Sequence, residues 1–159
     1  MGMDVYGRKP KNEKGEYFRN NVWFWHPLWD YCQQMYPKVT AKCIDGHTNS
    51  GDGLNASDAK KLANLIKKDL ENGRAEKWKD NYYAYLDSLQ KEPCDICSST
   101  GKQIVKVKDN DIELEQEREC FGCNGEGMRE SWAKNYPFTL ENLQAWWEFL
   151  DNCGGFNIH

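Results

Sequence analysis

Four cysteines in two Cys-x-x-Cys pairs, Cys94/Cys97 and Cys120/Cys123, are the residues in this chain best suited to chemistry. A Cys-x-x-Cys turn places two sulfurs on the same side of a tight loop. Two such turns supply the four thiolates that zinc prefers in a tetrahedral site. Between Cys97 and Cys120 lie 22 residues, slightly more than the commonest zinc-ribbon spacing, and a longer β-hairpin absorbs the difference. Glycines trail both pairs: Thr100-Gly101 after the first, Asn124-Gly125-Glu126-Gly127 after the second. They let backbone N–H groups turn toward sulfur with no Cβ in the way. Four thiolates close the coordination sphere, so the metal they hold is structural rather than catalytic. Disulfides or a redox centre are the competing reading, disfavoured by the paired knuckles with their glycine tails.

Other candidates are weaker. The loop from Lys38 to Asn55 carries Cys43, His47, Asn49 and Asp52. His47, Asn49 and Asp52 form the best candidate polar pocket, and His47 with Asp52 the best candidate for an enzyme site. Cys43 and His47 have ligand-like spacing, but neither they nor Cys32 and His26 fall into a recognisable metal motif. The aromatic run Trp23-Phe24-Trp25, followed by Trp29, is a candidate partner-binding surface, because aromatic residues are enriched at interface centres. Core packing is its competing reading.

The elements that must position these groups follow from periodicity. Asp4-Val5-Tyr6 reads as a short strand. Tyr17 to Trp25 alternates and reads as extended, placing Trp23 and Trp25 on one face. Pro27 suits the first turn of a helix that carries Leu28, Tyr31, Cys32 and Met35 and stops at Pro37. A second helix starts near Ser57 and shows the apolar stripe Ala59, Leu62, Ala63, Ile66 and Leu70 up to Gly73. A third spans about residues 75–90, and the short link predicts an antiparallel helical hairpin. Strands at Gln103–Lys108 and Ile112–Glu119 flank a turn at Asp109-Asn110, with lysines on the first strand able to pair with glutamates on the second. Thr139 caps a last helix with Leu140, Leu143, Trp146, Trp147 and Leu150 inward, ended by Gly154-Gly155. The expected fold is α+β: about four helices around an aromatic core with a zinc-clamped β-hairpin. The expected organisation is one domain over residues 1–159, with residues 92–130 a zinc-binding subdomain within it.

Composition fits this picture. The chain has 159 residues, 39% hydrophobic and 29% charged, with seven Trp, eight Tyr and six Phe. A net charge of −4 provides no global field to attract nucleic acid. No apolar run is long enough to span a membrane and no secretory signal is legible, which predicts no membrane partner and a cytoplasmic location. Seven cysteines without such a signal point to metal in a reducing compartment.

The run Cys120-Phe121-Gly122-Cys123-Asn124-Gly125-Glu126-Gly127 resembles the C-x-x-C-x-G-x-G zinc repeats of DnaJ-type chaperones. Residues 94–127 carry the resemblance, and Cys94-Asp95-Ile96-Cys97-Ser98-Ser99-Thr100-Gly101 lacks one glycine of the pattern. That family has four repeats and two zinc ions, whereas two repeats here imply one. The family's His-Pro-Asp signature is missing, because His26-Pro27 is followed by Leu28. Only the metal-binding geometry is implied. More widely, Met3-Asp4-Val5-Tyr6-Gly7, Gly15-Glu16-Tyr17-Phe18-Arg19-Asn20-Asn21-Val22-Trp23, Gly51-Asp52-Gly53-Leu54, Asn135-Tyr136-Pro137-Phe138 and Gly154-Gly155-Phe156 resemble small uncharacterised proteins encoded by bacteriophages. That resemblance implies a host-cytoplasmic location and no particular activity. The function expected is a zinc-stabilised protein-interaction module and, on the phage resemblance, a phage factor acting on a host protein. A nucleic-acid-binding zinc ribbon and an enzyme at His47/Asp52 are the alternatives.

Overall fold

Alternation in Gly2–Gly7 builds β1, with Met3 and Val5 turned inward. The computed structural model describes residues 2–109 and 112–159. In it β1 is the centre of a three-stranded antiparallel sheet ordered β2-β1-β7, with β2 at Tyr17–Asn21 and β7 at Phe156–Ile158. Val5 stands opposite Phe18 on one side and Ile158 on the other, and all three are buried. One sheet face is therefore core.

Five α-helices lie among the described residues: α1 (Val22–Met35), α2 (Pro37–Thr40), α3 (Ala56–Asn72), α4 (Arg74–Ser88) and α5 (Leu140–Asn152). The single turn α2 is the one beyond the expected four. Between the sheets and helices the class is α+β.

The extended reading of residues 17–25 holds only to Asn21. The Asn21 side chain accepts the Phe24 N–H at 3.0 Å, an N-cap that starts α1 at once. Residues two apart then lie about 200° apart around the helix instead of on one face. Trp25 is accordingly fully buried while Trp23 is 39% exposed. Pro27 sits inside α1 rather than in its first turn. Similarly, α3 is capped by Asn55, which accepts the Asp58 N–H at 2.9 Å, two residues ahead of Ser57. Gly73 ends it in the left-handed region at φ +80°. After that turn α3 packs along α5 rather than back along α4, so the helical hairpin does not form.

The chain divides into two compact units, Met1–Tyr85 with Asn135–His159, and Leu86–Lys134. The first has an aromatic core. Trp25 and Trp29 stack at 5.8 Å, and Trp146 meets Trp25 edge-on at 5.3 Å and Phe149 in a stack at 5.3 Å. Tyr31, Trp78 and Phe138 extend it, with ring centroids 4.6–5.5 Å apart. The second unit contains two antiparallel pairs, β3 (Glu92–Pro93) with β6 (Met128–Arg129), and β4 (Lys102–Asp109) with β5 (Ile112–Glu119). Its buried hydrophobic cluster consists of Cys94, Cys97, Cys120 and Cys123. The turn expected at Asp109-Asn110 reaches residues outside those described. Among the described residues no helix is long and apolar enough to cross a membrane.

Candidate metal centre

The two knuckles share one backbone plan. Ser98 and Ser99 adopt positive φ (49° and 65°), as Asn124 and Gly125 do in the second (50° and 81°). Gly101 and Gly127 both sit at φ 75°. The knuckles also bond reciprocally: the Cys94 N–H donates to the Gly127 carbonyl at 2.9 Å, and the Cys120 N–H to the Gly101 carbonyl at 2.8 Å. A Cβ on Gly101 would come within 2.3 Å of the Gly125 carbonyl oxygen, and one on Gly127 within 2.4 Å of the Ser99 carbonyl oxygen. Both the dihedral and the close approach demand glycine at these two positions.

That plan brings the sulfurs together. All four Sγ atoms lie within 4.8 Å of one another and all four cysteines are buried. Cys94 Sγ is 3.8 Å from Cys120 Sγ, and Cys97 Sγ is 3.7 Å from Cys123 Sγ. A tetrahedron with metal–sulfur bonds of about 2.3 Å has edges of about 3.8 Å. The Gly101 N–H donates to Cys97 Sγ at 3.3 Å and the Gly127 N–H to Cys123 Sγ at 3.2 Å. Such bonds stabilise thiolate charge and orient the ligands. Burial pushes the Cys97 thiol up, but the Gly101 N–H and the neighbouring sulfurs outweigh it and hold it at about 7. Burial raises Cys120 to about 11. Four thiolates this close repel one another, and a bound dication is what lets them all ionise. The cluster can coordinate one metal ion.

The remaining thiols are of another kind. Burial raises Cys32 and Cys43 to about 12 and Cys153 to about 11, so they stay protonated and behave as small apolar residues.

His47, Asn49 and Asp52 are each bound to a different part of the fold. His47 faces α1: its Nε2 is 3.1 Å from both Asp30 Oδ1 and Gln33 Oε1, and its Nδ1 is 2.8 Å from His26 Nδ1. One tautomer pair satisfies all three contacts, with His47 Nε2–H donating to Asp30 and Gln33 and His26 Nδ1–H donating to His47. Asn49 donates to the Gly2 carbonyl at 3.1 Å. Asp52 accepts the Asp45 N–H at 2.9 Å and the Gly53 N–H at 2.7 Å. Burial works against its charge, but those N–H groups outweigh it and lower its pKa. Each of the three therefore has a hydrogen-bond partner within the fold.

Of the candidate surface tryptophans, Trp25 and Trp29 have no solvent exposure, and the Trp25 indole N–H donates to the Gly46 carbonyl at 2.8 Å. They are core residues, because α1 turns that face inward. Trp23 remains at the surface, 4.9 Å from the Tyr136 ring.

Two groups of residues escaped the sequence reading. The His26–His47–Asp30–Gln33 cluster joins α1 to a loop whose fold no periodicity reports. Asp69 is fully buried and accepts hydrogen bonds from Tyr31 (2.7 Å) and Tyr36, with Arg74 3.5 Å away. Its position, three residues after Ile66 and seven after Leu62 on the apolar stripe, was a usable signal.

The chain matches no protein-family model, no curated protein and no solved structure.

Proposed function

We propose that Cys94, Cys97, Cys120 and Cys123 hold one structural Zn2+, and that the chain is a zinc-stabilised protein-interaction module. The sulfur geometry carries the first part: edges of 3.7 and 3.8 Å suit tetrahedral tetrathiolate zinc, and no open position remains for catalysis. The second part is supported by an inversion in Leu86–Lys134. There the metal-ligating cysteines are inside, while Ile96, Ile104, Leu114, Phe121 and Trp132 are between 41% and 72% exposed. Ile96 and Phe121 lie within the knuckles themselves, so the metal that folds the unit also presents its apolar surface.

Protein is favoured over nucleic acid as partner because lysines of β4 are paired with glutamates of β5. Lys102 pairs with Glu117 at 2.6 Å and Lys106 with Glu113 at 3.6 Å, which takes up two of the three β4 lysines that could face phosphates. The phage-encoded resemblance would put that partner in a bacterial host's cytoplasm.

Native mass spectrometry should find one zinc per chain. Affinity capture should yield a saturable protein partner that Phe121→Ser releases without loss of zinc. Binding to nucleic acid that weakens steeply with salt, with no protein partner, would instead establish the nucleic-acid reading.

A further inference from the structure

A cleft lies between α1 and α4, lined by aromatic rings, two carboxamides and one carboxyl group. One stripe of α4 (Trp78, Asn81, Tyr82 and Tyr85) faces Asp30 and Gln34 of α1 across a cavity of about 350 Å³. Spacings of three, four and seven residues put the four α4 residues on one helix face, and Asp30 and Gln34 are one turn apart. Trp78 and Tyr82 lie nearly parallel, 5.2 Å apart at 10°. The Trp78 indole donates to Gln34 Oε1 at 3.2 Å, and the Tyr82 hydroxyl to the Tyr136 carbonyl at 2.7 Å, so both rings are held in place.

The electrostatics have one sign. Asp30 is the only acidic residue among the described residues lining the cleft, and none of them is basic. Its carboxylate is 47% exposed on the side chain, with one oxygen facing His47. Burial, then Asp30, raises the Tyr82 hydroxyl to about 12, so that phenol stays neutral. A second cleft of about 230 Å³ shares Trp78 and Asn81 but carries Arg74 and Lys77. A cation entering the first meets a carboxylate, and one entering the second meets like charge.

Aromatic rings beside a carboxylate and two carboxamides match a guanidinium better than a quaternary ammonium. A guanidinium is planar, stacks on rings and carries a fork of N–H donors for carboxylate, whereas a quaternary ammonium has no N–H to give. We infer that this cleft receives an arginine side chain of a protein partner. The inference rests on the protein-interaction reading and names one contact within it.

The test uses the zinc-loaded full chain and three probes: acetyl-Gly-Arg-Gly-amide, its citrulline analogue and acetyl-arginine amide. NMR of the tryptophan indole N–H groups follows Trp78. The expected result is saturable movement of the Trp78 signal with the arginine peptide and none with the uncharged citrulline isostere. Asp30→Asn should weaken the arginine peptide by about tenfold or more. Tyr85→Ala, at an exposed position, should weaken it several-fold and covers the case in which Asp30→Asn disturbs the His47 contact. Equal binding of citrulline, or an unmoved Trp78 signal, overturns the inference even if a partner is captured through Phe121. Binding of acetyl-arginine amide but not of the peptide overturns the assignment to a protein partner.

Discussion

Residues Met1–Tyr85 with Asn135–His159 and residues Leu86–Lys134 solve the same problem with different materials. The first unit packs Trp25, Trp29, Trp146, Phe149 and Phe156 ring against ring, with none of the five more than 1% exposed. The second buries its cysteines and leaves Ile104, Leu114, Phe121 and Trp132 facing water. A segment of that size buries little apolar surface to offset the entropy of ordering it, and on the proposed reading a bound metal would supply the missing free energy. One unit can be weakened by degrees, while the other has a single point of failure.

The largest separation between them should come from Cys120→Ser. Loss of one ligand forfeits most of a metal-binding free energy on the order of 10 kcal/mol. Zinc content should fall to none and the β4–β5 pairing should be lost, with the near-ultraviolet signal of the tryptophan core unchanged. Trp146→Ala should do the converse. It empties the centre of the aromatic cluster and should cost about 3–5 kcal/mol in urea unfolding of the first unit, with zinc content intact.

Ser99→Gly sharpens the comparison of the two knuckles. Ser99 holds φ 65° where the second knuckle has Gly125 at 81°. Relief of that left-handed strain should stabilise the metal-bound second unit by about 0.5–1 kcal/mol, read as slower zinc loss to a competing chelator.

The smallest effect is a pH dependence confined to the first unit. Burial, and then neighbouring His47, lower His26 below its ordinary value of 6.5, with Asp30 opposing. His47, Asp30 and Tyr136 are the titratable groups around it. The folded state therefore binds fewer protons than the unfolded one. The resulting stability is present above about pH 6.5 and is lost as pH falls through the folded pKa. His26→Gln should flatten urea midpoints of the first unit over that window. Asp52 and Asp58, both lowered, act only at more acid pH, where carboxylates titrate.

What the sequence made legible follows the same division. Local signals served well: the Cys-x-x-Cys pairs, the glycines behind them, the Thr139 cap and the apolar stripes of α3 and α5 all act within a few residues. The strand reading failed at Trp23-Phe24-Trp25, because aromatic alternation imitates a strand while the deciding contact, Asn21 to the Phe24 N–H, is a single side-chain cap. Helix partners were also out of reach. A one-residue link at Gly73 suggests a hairpin, yet the left-handed turn sends α3 to α5, some seventy residues further along the chain. For the loop residues His47, Asn49 and Asp52, the sequence does not report the partners they find, which lie on α1, at Gly2, and at Asp45 and Gly53.

Hydrogen exchange on the whole chain, before and after chelation of zinc, tests whether a metal held by the four cysteines keeps residues 92–130 folded. Removing the metal should abolish protection in β4, β5 and both knuckles while α1, α3 and α5 keep theirs. Retained protection across residues 92–130 in metal-free protein would contradict it, since that unit would then have a core the four cysteines do not explain.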